Sequence, residues 1–157
     1  MENWANVPIF GFFIKFIQEV MDVEKRTFPA KIEHWDAVAE FLEQQLEDGS
    51  WSAKATYEIL VSAEEIFTNI TSYAYENEDG AVEVIFETFE EEHEIRISFK
   101  DQGIPYNPLE RPDPSFDIPF EERRIGGLGI YMVKKFMDYV EYRHEDGSNI
   151  FMIGKKW

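Results

Sequence analysis

Val82, Val84 and Phe86 alternate with Glu83 and Glu87, and a short step later Ile95, Ile97 and Phe99 alternate with Glu94, Arg96 and Ser98. A period of two gives a strand one apolar and one polar face. The two segments therefore read as half-buried strands joined through Glu90-Glu91-Glu92, a solvated hairpin loop. An apolar sheet face has to be covered, and this chain carries helical stripes that can cover it. Trp35, Val38, Ala39, Leu42 and Leu46 recur at helical spacing and stop at Asp48-Gly49, a normal C-terminal signal. Residues 56–75 continue as a longer helix. Residues 26–33 read as an edge strand, which Pro29 permits because an edge need not donate every N–H. A third helix is expected from Gly126-Gly127 through Asp138, then a closing hairpin of residues 140–144 and 150–153 around Asp146-Gly147. There is no βαβαβ alternation and no internal repeat. The expected fold class is α/β (α+β), a two-layer sandwich with a mixed, mostly antiparallel sheet and helices on one face.

Composition limits what such a sandwich can do. The 157 residues, 44% of them hydrophobic, suit one domain with its own core. No cysteine is present, which removes thiol catalysis and Cys-ligated metal centres and suits a reducing, cytoplasmic setting. Fifteen Lys+Arg against 32 Asp+Glu give a net charge of -17, a surface that repels phosphate backbones and anionic lipids. No direct nucleic-acid partner is expected. His34, His93 and His144 lie far apart in sequence, with no pair at metal-ligand spacing. Residues 1–20 differ from the rest: Ile9, Phe12, Phe13, Phe16, Ile17 and Val20 form an apolar helical stripe opposite Lys15, Gln18 and Glu19. This stripe is too short to span a bilayer. It is open to three readings: a helix docked on its own domain or on a dimer partner, a partner- or membrane-surface helix, or an extension upstream of a start at Met21.

Three motifs carry possible chemistry. On the second helix Glu65, Asn69 and Ser72 share the polar face at i, i+4 and i+7, as many solvated faces do. Asp101-Gln102-Gly103-Ile104-Pro105 follows the second strand. It is either turn chemistry or a carboxylate at a pocket mouth, with Gly103 allowing a planar ligand close to the backbone. Gly126-Gly127-Leu128-Gly129-Ile130 precedes the third helix, as a hinge or as backbone N–H groups facing an anion at the positive helix end. It is neither a Walker loop nor a dinucleotide-binding fingerprint. Between the last two motifs, residues 106–125 form a proline-rich loop of the length seen in functional lids or in disordered segments.

The order of the motifs closely resembles the GHKL ATPases, whose ATP-binding domain is called the Bergerat fold, and within them the anti-sigma-factor serine/threonine kinases. The resembling stretches are Glu64 to Ile70, Tyr73-Ala74-Tyr75, Asp101 to Pro108, and Gly126 to Ile130 running on to Asp138. They span about residues 26–157, within a single histidine-kinase-like ATP-binding domain placed at 21–157 with its ATP lid at about 106–125. The resemblance implies that Asn69 offers its side-chain oxygen to Mg²⁺, a hard ion that prefers oxygen ligands. It implies that Glu65 takes the proton from an attacking hydroxyl, and that Asp101 accepts from the adenine amino group with Gly103 beside the base. Gly126, Gly127, Leu128, Gly129 and Ile130 would line the nucleotide, with the N–H groups of Gly127, Leu128 and Gly129 turned to phosphate. Arg124 or Arg123 would reach the γ-phosphate, or both are surface charges beside Glu121 and Glu122. Some relatives carry His where Tyr73 stands, and Tyr does not titrate near neutral pH.

The implied function is an ATP-binding anti-sigma factor and serine/threonine protein kinase. It would phosphorylate an anti-sigma-factor antagonist, sequester a sigma factor and act as a homodimer with ATP and Mg²⁺. The alternative is an ATP-dependent protein-binding module without phosphotransfer. The ATP-binding part of a histidine kinase fits less well, since Met1 to Val20 holds no acceptor His, and gyrase-like or mismatch-repair relatives need domains beyond Trp157.

Overall fold

A computed structural model describes residues 22–47, 49, 51–76, 78–114 and 127–157. The apolar stripe of residues 1–20, residues 115–125 of the lid with Arg123 and Arg124, and Gly126 lie outside the described residues.

Five strands form one antiparallel sheet in the order β1-β2-β3-β5-β4. They are β1 (Asp22–Pro29), β2 (Ala81–Phe89), β3 (Glu94–Asp101), β4 (Tyr139–Glu145) and β5 (Ser148–Lys156). Three helices, α1 (Trp35–Leu46), α2 (Ala53–Tyr73) and α3 (Leu128–Phe136), accompany it. No parallel strand pair occurs among the described residues, so the sheet is antiparallel where a mixed one was allowed for. The two-layer α+β expectation holds.

The core forms where the apolar strand face meets the helical stripes. Val82, Val84, Ile97, Phe99 and Ile153 from the strands and Val38, Leu42, Ile59, Ala63 and Phe67 from α1 and α2 have no solvent exposure. Burying each large side chain stabilises the fold by about 2 kcal/mol before entropy is counted. Register sorts the helix-facing residues into rows across the sheet. One row runs Arg26, Val84, Phe99, Phe151, Tyr142; the next runs Phe28, Val82, Asp101, Asn149, His144. Polar residues thus enter the apolar face at one end of the sheet.

Several boundaries moved for local reasons. β1 covers residues 22–29, not 26–33: Pro29, lacking an N–H, sits at its end, and Ala30 donates to Gly80 instead. Ser52 caps α2 by accepting from the Ala55 N–H at 3.1 Å, so the helix starts earlier than expected. Gly127 has φ of 91°, a left-handed conformation that places it ahead of α3 and not inside it. The β4–β5 turn has Asp146 and Gly147 both at positive φ, as a two-residue hairpin requires.

Candidate functional site

The long axis of α2 carries the first group. Glu65 and Asn69 are half-buried on one face, and the Asn69 Nδ2 donates to both the Glu65 Oε1 and the Glu65 carbonyl, each at 2.7 Å. The amide nitrogen is therefore engaged, and Asn69 Oδ1 takes no hydrogen bond from any described residue. Ser72, which shares the helical face in sequence, is exposed and lines a separate depression with Lys31, Tyr75 and Asp79.

Gly129 meets this group from α3. A Cβ at Gly129 would land on the Glu65 carboxylate, so α3 approaches that carboxylate closely and a side chain there would have to push it aside. Gly127 caps α3 without a side-chain hydrogen bond, and the N–H groups of the first turn have no side-chain acceptor among the described residues. Leu128 is 52% exposed, whereas Ile130 is buried and turned inward.

The end of β3 carries the second group. Asp101 is 4% exposed, and its Oδ1 accepts from the Gly103 N–H at 2.8 Å and the Asn149 Nδ2 at 2.9 Å. Burial raises the Asp101 carboxyl above the ordinary range; the bonds from Asn149 and Gly103 and the nearby His144 pull it back only in part. Gly103 packs against the end of α2, where a Cβ would lie 2.3 Å from the Ala74 carbonyl oxygen, so its contact is with the helix and not with the cavity. The Ile104 N–H donates to that same carbonyl at 2.8 Å. Tyr75 completes the tie: its hydroxyl donates to the Ala81 carbonyl and accepts from the Gln102 N–H.

Between the two groups lies a solvent-open cavity of about 440 Å³, its mouth included. Ile66, Ile70, Ile104, Ile130 and Phe151 form apolar walls; Asp101 and Asn149 are polar points on one side, and Asn69 is another. An apolar slot with few polar groups is what a flat heterocycle requires. Its donor set also suits a purine, with a buried carboxylate for an amino group. Tyr73 and Tyr106 stand at the rim with ring centroids 6.4 Å apart.

Asn69, Asp101 and Ile130 thus face one cavity, with Glu65 and Gly129 directly behind Asn69. Sequence reasoning missed Asn149. Its signal was a polar residue at an inward position of β5, whose next inward residues are Phe151 and Ile153. Among the described residues no three His, Cys, Asp or Glu cluster to hold a metal. No described helix is long and apolar enough to cross a membrane.

The family model for the histidine kinase-like ATPase domain matches residues 28–154, and the chain belongs to that family. More particularly, it is similar to the serine-protein kinase RsbW of Bacillus cereus (strain ZK / E33L), 29% identical over 94 residues, 59% of this chain and 59% of that protein. The RsbW of Bacillus thuringiensis subsp. konkukian (strain 97-27) matches to the same extent. These alignments span about three-fifths of the relatives' length. The crystal structure of the RsbU and RsbW domains of Rv1364c from Mycobacterium tuberculosis shares the fold, with a TM-score of 0.60 and 15% identity over 87% of this chain and 32% of that one.

Proposed function

We propose that this chain binds ATP in the α2–β3 cavity and acts as a serine/threonine protein kinase of the anti-sigma-factor type. The observation that carries the reading is the placing of Asp101 and Asn69 on one apolar cavity, with the Glu65 carboxylate bonded to Asn69 beneath the uncapped start of α3. Asp101 accepts from the adenine amino group, and the isoleucine walls exclude water from the ring. The first-turn N–H groups of α3, with Gly127 and Gly129 ahead of and within it, face the phosphates. Mg²⁺, when bound, neutralises phosphate charge, and Asn69 Oδ1 is the protein oxygen available to it. Glu65 removes the proton from a Ser or Thr hydroxyl as its oxygen bonds to the γ-phosphorus and the bond to ADP breaks. Arg124 or Arg123 would stabilise charge in that transfer.

The names of the relatives support the kinase reading, and resemblance supports the partners: an anti-sigma-factor antagonist as phosphate acceptor and a sigma factor as the protein held, with a cytoplasmic homodimer as the working unit. A chain of net charge -17 would repel a partner that has just gained a phosphate, which gives the switch a physical basis.

The test is paired. ATP affinity is measured by calorimetry with and without Mg²⁺, and transfer is read as phosphoserine or phosphothreonine on a candidate antagonist by mass spectrometry. Glu65→Ala is expected to keep ATP binding and lose roughly 10²–10⁴ in transfer rate. Wild-type protein that binds ATP yet transfers nothing would favour the binding-module reading. No heat at millimolar ATP would end both.

A further inference from the structure

Asn149 lies beside Asp101 in the cross-sheet register and is 5% exposed. Its Nδ2 faces three acceptors: Asp101 Oδ1 at 2.9 Å, the Gly103 carbonyl at 3.2 Å and the Ile104 carbonyl at 3.4 Å. Its Oδ1 accepts from the Tyr142 hydroxyl at 2.8 Å and lies 3.1 Å from His144 Nδ1. The amide has one chemically allowed orientation. Turned over, it would set an oxygen against a carboxylate and two carbonyls and leave Tyr142 and His144 facing an NH₂. The same logic gives His144 its proton on Nδ1.

This arrangement decides what Asp101 can recognise. Oδ1 already accepts two N–H groups, and no described residue donates to Oδ2. A carboxylate held this way is an acceptor only, and it requires a donor from the ligand. We infer that Asn149, locked by Tyr142, is the positioning residue that keeps Asp101 an acceptor and so makes the site select a 6-amino purine over a 6-oxo purine. A 6-oxo base sets its own acceptor against Asp101 in a buried slot, an unpaired arrangement that binding sites reject strongly. Without the Asn149 donor, Asp101 is free to hold a proton or rotate, and either change admits the 6-oxo base. The inference rests on the ATP reading given above.

The experiment measures the dissociation constants of ATP and ITP, which differ at the 6-position, for the wild type, Asn149→Leu and Tyr142→Phe, with thermal melting as the check on folding. The wild type is expected to prefer ATP by at least about tenfold. In Asn149→Leu the ITP-to-ATP ratio should fall toward one, because ATP weakens while ITP does not. Tyr142→Phe leaves His144 to orient the amide, and the ratio should fall about threefold. Equal weakening of both nucleotides in folded Asn149→Leu would mean a merely structural role and overturn the inference. If Asn149→Leu does not fold, an unchanged ratio in Tyr142→Phe overturns it. A wild type that binds both nucleotides equally also overturns it but leaves the ATP reading intact. A wild type that binds neither overturns that reading, and the inference with it.

Discussion

The two ends of β3 each bury a carboxylate, Glu94 at the start and Asp101 at the finish, and each is 4% exposed. Their chemistry runs in opposite directions. Burial opposes the charge on Glu94, but hydrogen bonds from the Tyr139 hydroxyl and Arg96, with the Arg96 charge, outweigh it and hold the carboxyl below the ordinary range. At Asp101 burial prevails, because Asn149 and the Gly103 N–H are neutral donors, and the carboxyl stays above the ordinary range. Glu94 looks to the outer sheet face, shielded by Tyr139, whose ring leaves no room for a Cβ at Gly154. Asp101 looks into the cavity. Equal exposure therefore says little; what matters is whether the protein supplies the opposite charge or leaves the carboxylate waiting for a donor. The first arrangement serves the fold; under the proposed ATP reading, the second serves a ligand at the fold's expense.

Asp101→Asn is the sharpest way to break this contrast. Its Oδ1 can keep both N–H bonds, and its NH₂ then opposes the adenine amino group. ATP affinity should fall at least about 100-fold, while the melting temperature stays level or rises. Calorimetry and a thermal scan read the two effects, and a large loss of stability would contradict the assignment of Asp101 to ligand.

Glu94→Gln should do the reverse. It leaves Arg96 beside an uncharged amide and costs about 1–2 kcal/mol, a modest figure because the Arg96 side chain is 36% exposed. Urea unfolding measures it, with ATP affinity unchanged.

Acid separates the two more finely. Glu94 has a lowered folded pKa, so its stabilisation is complete above its unfolded value of about 4.5 and is lost as pH falls through the folded value below that. Glu94→Gln should flatten the acid limb in that window. Asp101 has a raised folded pKa, so it costs stability at neutral pH and that cost disappears on acidification. ATP binding needs its ionised form and should weaken at a pH above the ordinary aspartate value of 3.8. Stability and ATP affinity measured from pH 7 downward should part company there, with affinity falling first.

The smallest effect belongs to Ser62, fully buried on α2 with no hydrogen-bond partner for its hydroxyl among the described residues. Ser62→Ala should be neutral or stabilising by up to about 1 kcal/mol in urea unfolding, since it removes a polar atom that gains nothing from burial.

How far the sequence led varied with the kind of signal. α1 is found over the residues its stripe marked, because a five-residue apolar stripe with a stop signal leaves little freedom. β1 shifted because Phe28 is its one buried residue; an exposed edge has no inward pattern to fix its ends. Glu65, Asn69 and Asp101 stood out through motif order and a family resemblance. Asn149 did not, because Ser148-Asn149 after Asp146-Gly147 reads as turn chemistry until register sets it beside Asp101. Gly129 was noticed as an anion-facing glycine, but its contact with the Glu65 carboxyl is a close approach between two helices that linear spacing does not show. Glu94 read as solvated for the same reason: nothing in β3 indicates that Tyr139, 45 residues on, shields it.

α3 is pinned by side chains at its C-terminal end. Lys155 donates to the Phe136 carbonyl at its last turn and to Glu58 on α2, holding the Glu58 carboxyl below its ordinary range despite burial. Asp138, just past that turn, is bonded through its own N–H to Gly154 and through its carboxylate to the Lys156 N–H. At the far end stand Gly127 and first-turn N–H groups with no side-chain acceptor among the described residues. Mechanically this is a lever about 13 Å long, pinned at its heel. A tilt of about 5° at Phe136 displaces the Gly127 tip by about 1 Å, a large step on the scale of a hydrogen bond, while the sheet end stays in register.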